Sequence, residues 1–513
     1  MILIHPPVAK PSEPPAGIAR LSGALTSHGI DHAAIDANLE ALLFFRDRTH
    51  DQSLIKYGKW TARSLHNISN NFKSVKDINT YKNIDRYKRA VIDLNHAIEV
   101  RGNNGASPGI TSYRHKELSP LKSADLLKAA EYPDVNPYFP YFSRRLTRLI
   151  HDCDPRFVGF SLNYLTQALS TFAMTGFLRQ RFPYLQIIIG GGLVTSWMRN
   201  PDWHNPFKGL IDYLVAGPGE KQLLDILGVR HVEDTHTVPD YTSFPLHEYL
   251  SPGIVLPYSA SSGCYWSNCS FCPEKAENNP YVPFRADHVI SDLNVLNAAS
   301  GPHLIHLVDN AINASLLKKL SGHSVNTPWY GFVRISELLS DPDFCMDLRK
   351  SGCIMLKLGL ESGDQRVLDA LQKGIEVSTA SRVLKTLKKT GISAYVYLIF
   401  GTPAETEREA EKTLDFVIAH NREIDFLNVA MFNMPVSGPD VSKYKTRKFY
   451  DGDLTLYTDF EHPAAWSRKK VRYFLDNKFK RNKAVSCILR RDPPFFTSNH
   501  APFFVMKRKL RVF

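Results

Sequence analysis

Short apolar runs, most of them closed by Gly or Pro, recur along the chain, and segments with apolar residues at helical spacing lie between them. The run 2–4 is stopped by Pro6-Pro7. Residues 18–28 carry Ile18, Leu21, Ala24 and Leu25 on one helical face, with Gly29 as a stop, and 32–36 reads as the next strand. Residues 45–140 break the pattern: they are rich in Lys, Asn and Tyr, end among Pro108, Pro133 and Pro137, and read as an inserted helical or lid-like region. Alternation resumes with a strand at 157–161, a helix at 166–181, a strand at 186–189 running into Gly190-Gly191-Gly192, and a strand at 212–216. Gly217-Pro218-Gly219-Glu220 then opens a helix. Strand–helix alternation with glycines at strand C-termini predicts a doubly wound, Rossmann-like parallel sheet, which binds ligands at that edge. Three adjacent glycines admit a bulky ligand close to the backbone, and they equally suit a bare strand-to-helix turn.

Residues 231–250, with Thr237-Val238-Pro239-Asp240 and Phe244-Pro245, read as a linker. A second series follows, with strands expected at 254–260, 304–308, 330–335, 355–360, 394–400 and 427–432, and helices between them at 365–371 and 378–389. Six strands at this spacing fit a partial (β/α)6 TIM-like barrel, whose chemistry belongs at the strand C-terminal ends. The expected organisation is a doubly wound domain over 1–230 with the insertion at about 45–140, a linker over 231–250, a barrel over 251–435 and a C-terminal extension over 436–513.

Composition adds one localised feature. The chain has 513 residues, 43% hydrophobic and 22% charged, which excludes a disordered or disulfide-scaffold protein. The net charge is +12, and residues 441–513 alone hold 18 Lys/Arg against 6 Asp/Glu, so the body is neutral. This basic region either steers an anionic partner or forms a solvated face. The first residues lack the basic, apolar and small-residue order of a signal peptide, and no apolar run approaches the ~18 residues of a membrane span. Seven cysteines, three of them between 264 and 272, suit a reducing compartment and a metal site, so a cytoplasmic location is expected. Cys153, Cys345, Cys353 and Cys487 read as buried small hydrophobes.

The segment Cys264-Tyr-Trp-Ser-Asn-Cys269-Ser-Phe-Cys272 follows an expected strand, so three thiolates can face one pocket from one loop. Soft thiolates select zinc or an iron–sulfur cluster. Structural zinc takes four ligands, and no fourth Cys or His is near in sequence. Three thiolates leave one iron of a 4Fe–4S cluster open to a non-protein ligand. Zinc with a distant fourth ligand remains open on spacing alone.

At this point the sequence resembles the radical S-adenosylmethionine (SAM) superfamily, in particular its branch with a cobalamin-binding domain. The resemblance rests on Phe271-Cys272, Trp329-Tyr330-Gly331-Phe332-Val333-Arg334, Leu358-Gly359-Leu360-Glu361-Ser362-Gly363 and Tyr397-Leu398-Ile399-Phe400-Gly401-Thr402-Pro403-Ala404-Glu405-Thr406. In the first half it rests on His5-Pro6-Pro7, Val158-Gly159-Phe160-Ser161, Gly190-Gly191-Gly192 and Val215-Ala216-Gly217-Pro218-Gly219-Glu220. The usual cysteine spacing of the family is C-x3-C-x2-C, and this chain has one extra residue between Cys264 and Cys269. The D-x-H-x-x-G signature that supplies a histidine to cobalt is absent.

The resemblance implies that Cys264, Cys269 and Cys272 hold a 4Fe–4S cluster whose open iron binds S-adenosylmethionine and releases a 5′-deoxyadenosyl radical. Arg334 would meet the methionine carboxylate, with a surface pair to Glu337 as its plain alternative. Glu361 and Ser362, past Gly359, would meet the ribose or the methionine amine, and Asp309-Asn310 the amine. Gly401 would admit the adenine, with Glu405 and Thr406 opening the next helix. Ser161, Gly190, Gly191, Gly219 and Glu220 would border cobalamin. The implied activity is methylation of an unactivated carbon, with radical rearrangement or cyclisation as the alternative and an iron–sulfur RNA-binding module as a third. The implied partners are a small-molecule or peptide substrate and an electron donor such as a flavodoxin or ferredoxin. Nucleic acid is not expected.

Overall fold

The computed structural model describes residues 1–48, 58–102, 105–229 and 236–505, and these form two compact units. Parts of the expected insertion (49–57, 103–104), linker (231–235) and basic extension (506–513) lie outside the described residues.

The first unit comprises Met1–Ile254 with Tyr450–Thr455 and Pro494–Phe496. Its sheet contains β1 (Ile2–His5), β2 (Ala33–Asp36), β3 (Phe157–Ser161), β4 (Gln186–Gly190) and β5 (Tyr213–Leu214). All pairings are parallel in the spatial order β2-β1-β3-β4-β5. These strands are near-continuous apolar runs because helices cover both faces of a parallel sheet, and Ile2, Ile4, Val158, Phe160, Ile187 and Ile189 are accordingly buried. The order reverses between β1 and β3, which opens a crevice beyond their C-terminal ends. The helix Leu165–Arg181 is buried over most of its length, and its Thr171 and Thr175 hydroxyls are satisfied by donating to the carbonyls of Gln167 and Thr171, at 2.8 and 2.9 Å.

Between β2 and β3 the described part of the insertion is mainly helical, with helices Lys59–His66, Ile68–Lys76, Ile84–Glu99, Ser123–Glu131 and Phe139–Cys153 and a small hairpin, Ala106–Pro108 with Tyr113–His115. The described part of the expected linker is integral to this unit. Tyr241, Phe244, Tyr249 and Leu250 are buried, and the Tyr249 hydroxyl donates to Asp36 at 2.8 Å. Its Pro and Asp content masked these aromatic anchors.

The second unit comprises Val255–Phe449, Leu456–Pro493 and the described residues from Thr497. Its sheet contains β6 (Val255–Tyr258), β7 (Leu304–Ile312), β8 (Trp329–Val333), β9 (Cys353–Glu361), β10 (Ser393–Phe400) and β11 (Ile424–Met431). Each strand pairs in parallel with its neighbour in sequence, and β6 and β11 are the edges. Consecutive parallel order with intervening helices is the connectivity of a (β/α) barrel left open after six strands.

The described part of the basic extension is not a separate body. In the helix Arg468–Phe474 and the turns after it, Val471, Phe474, Leu475 and Phe479 are buried while Lys469, Lys470, Arg472, Lys478 and Lys480 are exposed. That is the pattern of a solvated face on an amphipathic helix. Cys345 and Cys353 are buried as expected, but Cys153 and Cys487 are exposed, because each faces outward near the end of a surface helix. Among the described residues no helix is long and apolar enough to cross a membrane.

Gly176 lies where Leu165–Arg181 crosses Ser123–Glu131, and a Cβ there would fall on the backbone carbonyl of Ala130. Gly176→Ala is expected to lower stability by about 1–3 kcal/mol through overpacking, read as a fall in the urea midpoint at unchanged slope.

Candidate active site

The cysteine loop leaves the C-terminal end of β6 and is pinned at its entry. Asp309 on β7 accepts from the Ser261 hydroxyl at 2.5 Å and from the Ala260 N–H at 3.1 Å, and Asn310 donates to the Gly263 carbonyl at 3.2 Å. Asp309 and Asn310, expected at a methionine amine, are thus engaged in holding the loop. Burial raises the Asp309 carboxyl above its ordinary range against these hydrogen bonds. Further along, the Ser270 N–H donates to the Leu371 carbonyl at 3.0 Å.

Cys269 is buried, while Cys264 and Cys272 are half-buried. Burial pushes the Cys269 thiol up, opposed first by the charge of Lys373 and then by Arg334, and it pushes Cys272 up to about 11. Both groups also feel Cys264, so the three thiols are electrostatic neighbours. A bound metal inverts this, since coordination deprotonates a thiol outright. Among the described residues no three Cys, His, Asp or Glu side chains are closed around a metal-sized point. The fit to a cluster therefore rests on the donor set: three soft sulfurs on one pinned loop, without a fourth ligand.

Arg334, one residue past β8, lies against this loop. Its guanidinium carbon stacks 3.8 Å from the Trp266 ring centroid, and its Nη2 donates to the carbonyls of Lys373 at 2.7 Å and Gly374 at 3.2 Å. The Trp266 indole N–H donates to the Gln372 carbonyl at 3.0 Å. Gly374, at φ +65°, is needed here, because a Cβ would enter the Trp266 ring. The five-residue cysteine spacing is accommodated by a left-handed residue, Ser267 at φ +44°. Glu337, the alternative partner for Arg334, instead pairs with Arg382 and accepts from Thr379 at 2.7 Å.

Glu361 ends β9 in the left-handed region at φ +68° and is buried. Its Oε1 lies 2.7 Å from Lys373 Nζ. Gly359 makes room for this pair, since a Cβ there would meet both Glu361 Oε1 and Lys373 Nζ. Ser362 is fully buried, its hydroxyl 3.2 Å from that of Thr413 and accepting from the Asp364 N–H at 3.1 Å, so it organises the turn after β9. Gly401, at φ +82°, directly follows β10 and borders a small cleft also lined by Phe432, Phe460, His462, Trp466 and Arg468. Thr406 caps the helix Glu407–Ala419 in a reciprocal box with Glu409.

In the first unit the expected ligand edge is also built. The Asn163 side chain donates to the Ser161 carbonyl and hydroxyl at 3.2 and 3.0 Å and accepts from the Gly192 N–H at 3.0 Å, tying the end of β3 to the end of β4. Gly191 is at φ +110°, and a Cβ there would run into the Leu162 carbonyl, so the loop after β3 packs onto this position and only glycine fits. Gly190 lies against Val215, and Gly219 has Leu21 as its nearest neighbour. Glu220 is buried and paired with Arg20, which makes it a tie between two helices.

Sequence reasoning passed over Trp266, Lys373, Trp466 and His462. Lys373-Gly374 carries a readable signal, a glycine turn directly after a short helix. The others are placed only by long-range packing.

Glu405 is fully buried. Its Oε2 accepts from the Gly401 N–H and, at 3.2 Å, from the Trp466 indole N–H, while Oε1 has no partner among the described residues. Burial raises its carboxyl to about 7 despite those bonds. A raised acid favours the folded state only while protonated, so stability falls as pH climbs from about 4.5 to about 7. Glu405→Gln is therefore expected to be more stable than the parent at pH 8 by up to about 3 kcal/mol, with the gap closing toward pH 5 in urea titrations.

Residues 258–417 match a family model described as the radical SAM superfamily. An uncharacterized methyltransferase of Pyrococcus horikoshii is 27% identical over 246 residues, covering 43% of this chain and 51% of that protein. The anaerobic magnesium-protoporphyrin IX monomethyl ester cyclase of Rubrivivax gelatinosus is 24% identical over 229 residues, 43% of this chain and 39% of the relative. The matched stretches thus span about half or less of these relatives. Among solved structures, the radical S-adenosylmethionine methyltransferase TsrM from Kitasatospora setae, with cobalamin and a [4Fe-4S] cluster bound, superposes with a TM-score of 0.52 at 15% identity. The match covers 89% of this chain and 82% of that one, which is a likeness of fold. It is thus the barrel segment 258–417 that carries the likeness to the radical SAM superfamily.

Proposed function

We propose that this protein is a radical SAM enzyme that methylates an unactivated carbon with the help of cobalamin. The observation that carries the reading is a pinned three-cysteine loop on the same strand edge as Arg334, Glu361 and Gly401. Cys264, Cys269 and Cys272 would hold the cluster. Arg334, already stacked on Trp266, would offer its remaining N–H groups to the methionine carboxylate. The carboxylate of Glu361 would accept from the methionine amine or the ribose. Gly401, at a left-handed φ just past β10, would let the backbone approach the adenine. In the first unit, the glycine-only edge at Gly191, braced by Asn163 and Ser161, would accept cobalamin, with Gly190, Gly219 and Glu220 supporting the flanking turns. When bound, the cluster and S-adenosylmethionine supply a 5′-deoxyadenosyl radical, and cobalamin supplies a transferable methyl group. The chain's own residues orient these groups and exclude water from them. The substrate class is a small molecule or peptide, and reduction would come from a flavodoxin- or ferredoxin-like donor. The likeness to a cyclase supports a second reading, radical cyclisation without methyl transfer.

Anaerobically reconstituted protein is expected to show broad brown absorbance and to cleave S-adenosylmethionine under reductant, and replacing Cys264, Cys269 and Cys272 with Ala should remove both. Retention of both in the triple variant would overturn the radical assignment. Gly191→Val is expected to abolish cobalamin co-purification while leaving cluster content unchanged. Parent protein that forms deoxyadenosine but never retains cobalamin would favour cyclisation.

A further inference from the structure

The buried Glu361–Lys373 pair lies beside the cysteine loop, and three contacts place Lys373 at its centre. Its ammonium is 2.7 Å from Glu361 Oε1, and both side chains are under 10% exposed. It lies 5.6 Å from the ring centroid of Phe271, the residue between Ser270 and Cys272. Its backbone carbonyl is the 2.7 Å acceptor of Arg334. One residue therefore touches the loop that would carry the cluster, the carboxylate at the end of β9 and the arginine past β8.

The local backbone is shaped for this role. Gln372 at φ +52° and Gly374 at φ +65° turn the chain sharply after the helix Gln365–Ala370, and the Lys373 N–H returns to the Leu368 carbonyl at 3.0 Å. Glu361 holds a left-handed φ that a non-glycine residue keeps only where its surroundings enforce it. The ion pair supplies that enforcement, and Gly359 leaves the space the pair occupies.

We infer that Lys373 is a positioning residue that fixes Glu361 and, by its charge against the cysteine loop at Phe271, sets the reduction potential of the cluster. This rests on the reading that Cys264, Cys269 and Cys272 hold the cluster. A one-electron reduction makes the cluster more negative, and in a poorly hydrated site a neighbouring charge acts strongly on that step. Removing the cation makes reduction harder. Removing the anion makes it easier.

The test is an electron paramagnetic resonance-monitored reductive titration of reconstituted protein at pH 8, comparing the parent with Lys373→Met, Lys373→Arg and Glu361→Gln. In Lys373→Met the reduced-to-oxidised ratio at fixed potential should fall at least tenfold, a negative shift of about 59 mV or more for one electron. In Glu361→Gln it should rise, and Lys373→Arg, which keeps the charge, should stay within twofold of the parent. Opposite signs in the two charge-removing variants are what a loosened loop cannot produce. Shifts of the same sign, or ratios within twofold in both, would overturn the inference. Should Lys373→Met fail to fold, the rise in Glu361→Gln alone decides the matter, its absence counting against the proposal. A parent protein that binds no cluster would instead defeat the underlying assignment of the cysteines.

Discussion

Parallel pairing of β6 to β11 is the constraint from which the candidate site follows. In a parallel sheet each strand enters from the same end, so every strand C-terminus and the loop after it lie on one edge. Cys264, Arg334, Glu361 and Gly401 are spread over some 140 positions of sequence, yet each follows or ends a strand of this sheet. A shift of one strand by one residue would turn its inward set outward, because side-chain direction alternates with period two. The apolar runs that fix the register therefore also fix which polar residues reach the edge.

At that edge the structure invests its hydrogen bonds in the loop rather than in the ligands. Asp309 and Asn310 tie down the loop entry, Leu371 receives the Ser270 N–H, and Trp266 reaches over to Gln372 and Arg334. Thiols raised by burial are poor ligands until a metal arrives, so the loop must be held by contacts other than the cysteines themselves. The extra residue between Cys264 and Cys269 finds its physical use here: with Ser267 in a left-handed turn, the lengthened loop carries Trp266 onto Arg334 and Gly374.

The first unit applies the same edge logic to a different sheet. The reversal of strand order between β1 and β3 opens the crevice, and Gly191 lets the loops after β3 and β4 pack together beside it. Asn163 braces the ends of β3 and β4 much as Asp309 braces β6 and β7. Glu220, by contrast, is drawn into a pair with Arg20, so a family-like position serves packing in this chain.

All eleven principal strands were legible in the alternation of apolar runs and glycines, as were the open barrel and the doubly wound sheet, because burial on both faces demands those patterns. The cysteine loop stood out by its spacing and residue type, whereas the role expected of Gly401 came from the resemblance alone. Ranges were less so. The polar, Pro-containing segment before Ile254 reads as a linker, yet Tyr241, Phe244 and Tyr249 bury it in the first unit, and the helix Arg468–Phe474 of the basic extension packs in the second unit by its apolar side. Partnerships were not legible at all. Nothing local says that Arg334 stacks on Trp266, that Lys373 neutralises Glu361, or that Trp466 donates to Glu405. By itself the sequence determined the elements, their order and the chemical kind of the site, because periodicity and residue type act over a few residues. Only the tertiary structure decided which charges meet, because burying a charge is tolerable only where distant segments bring its partner within reach.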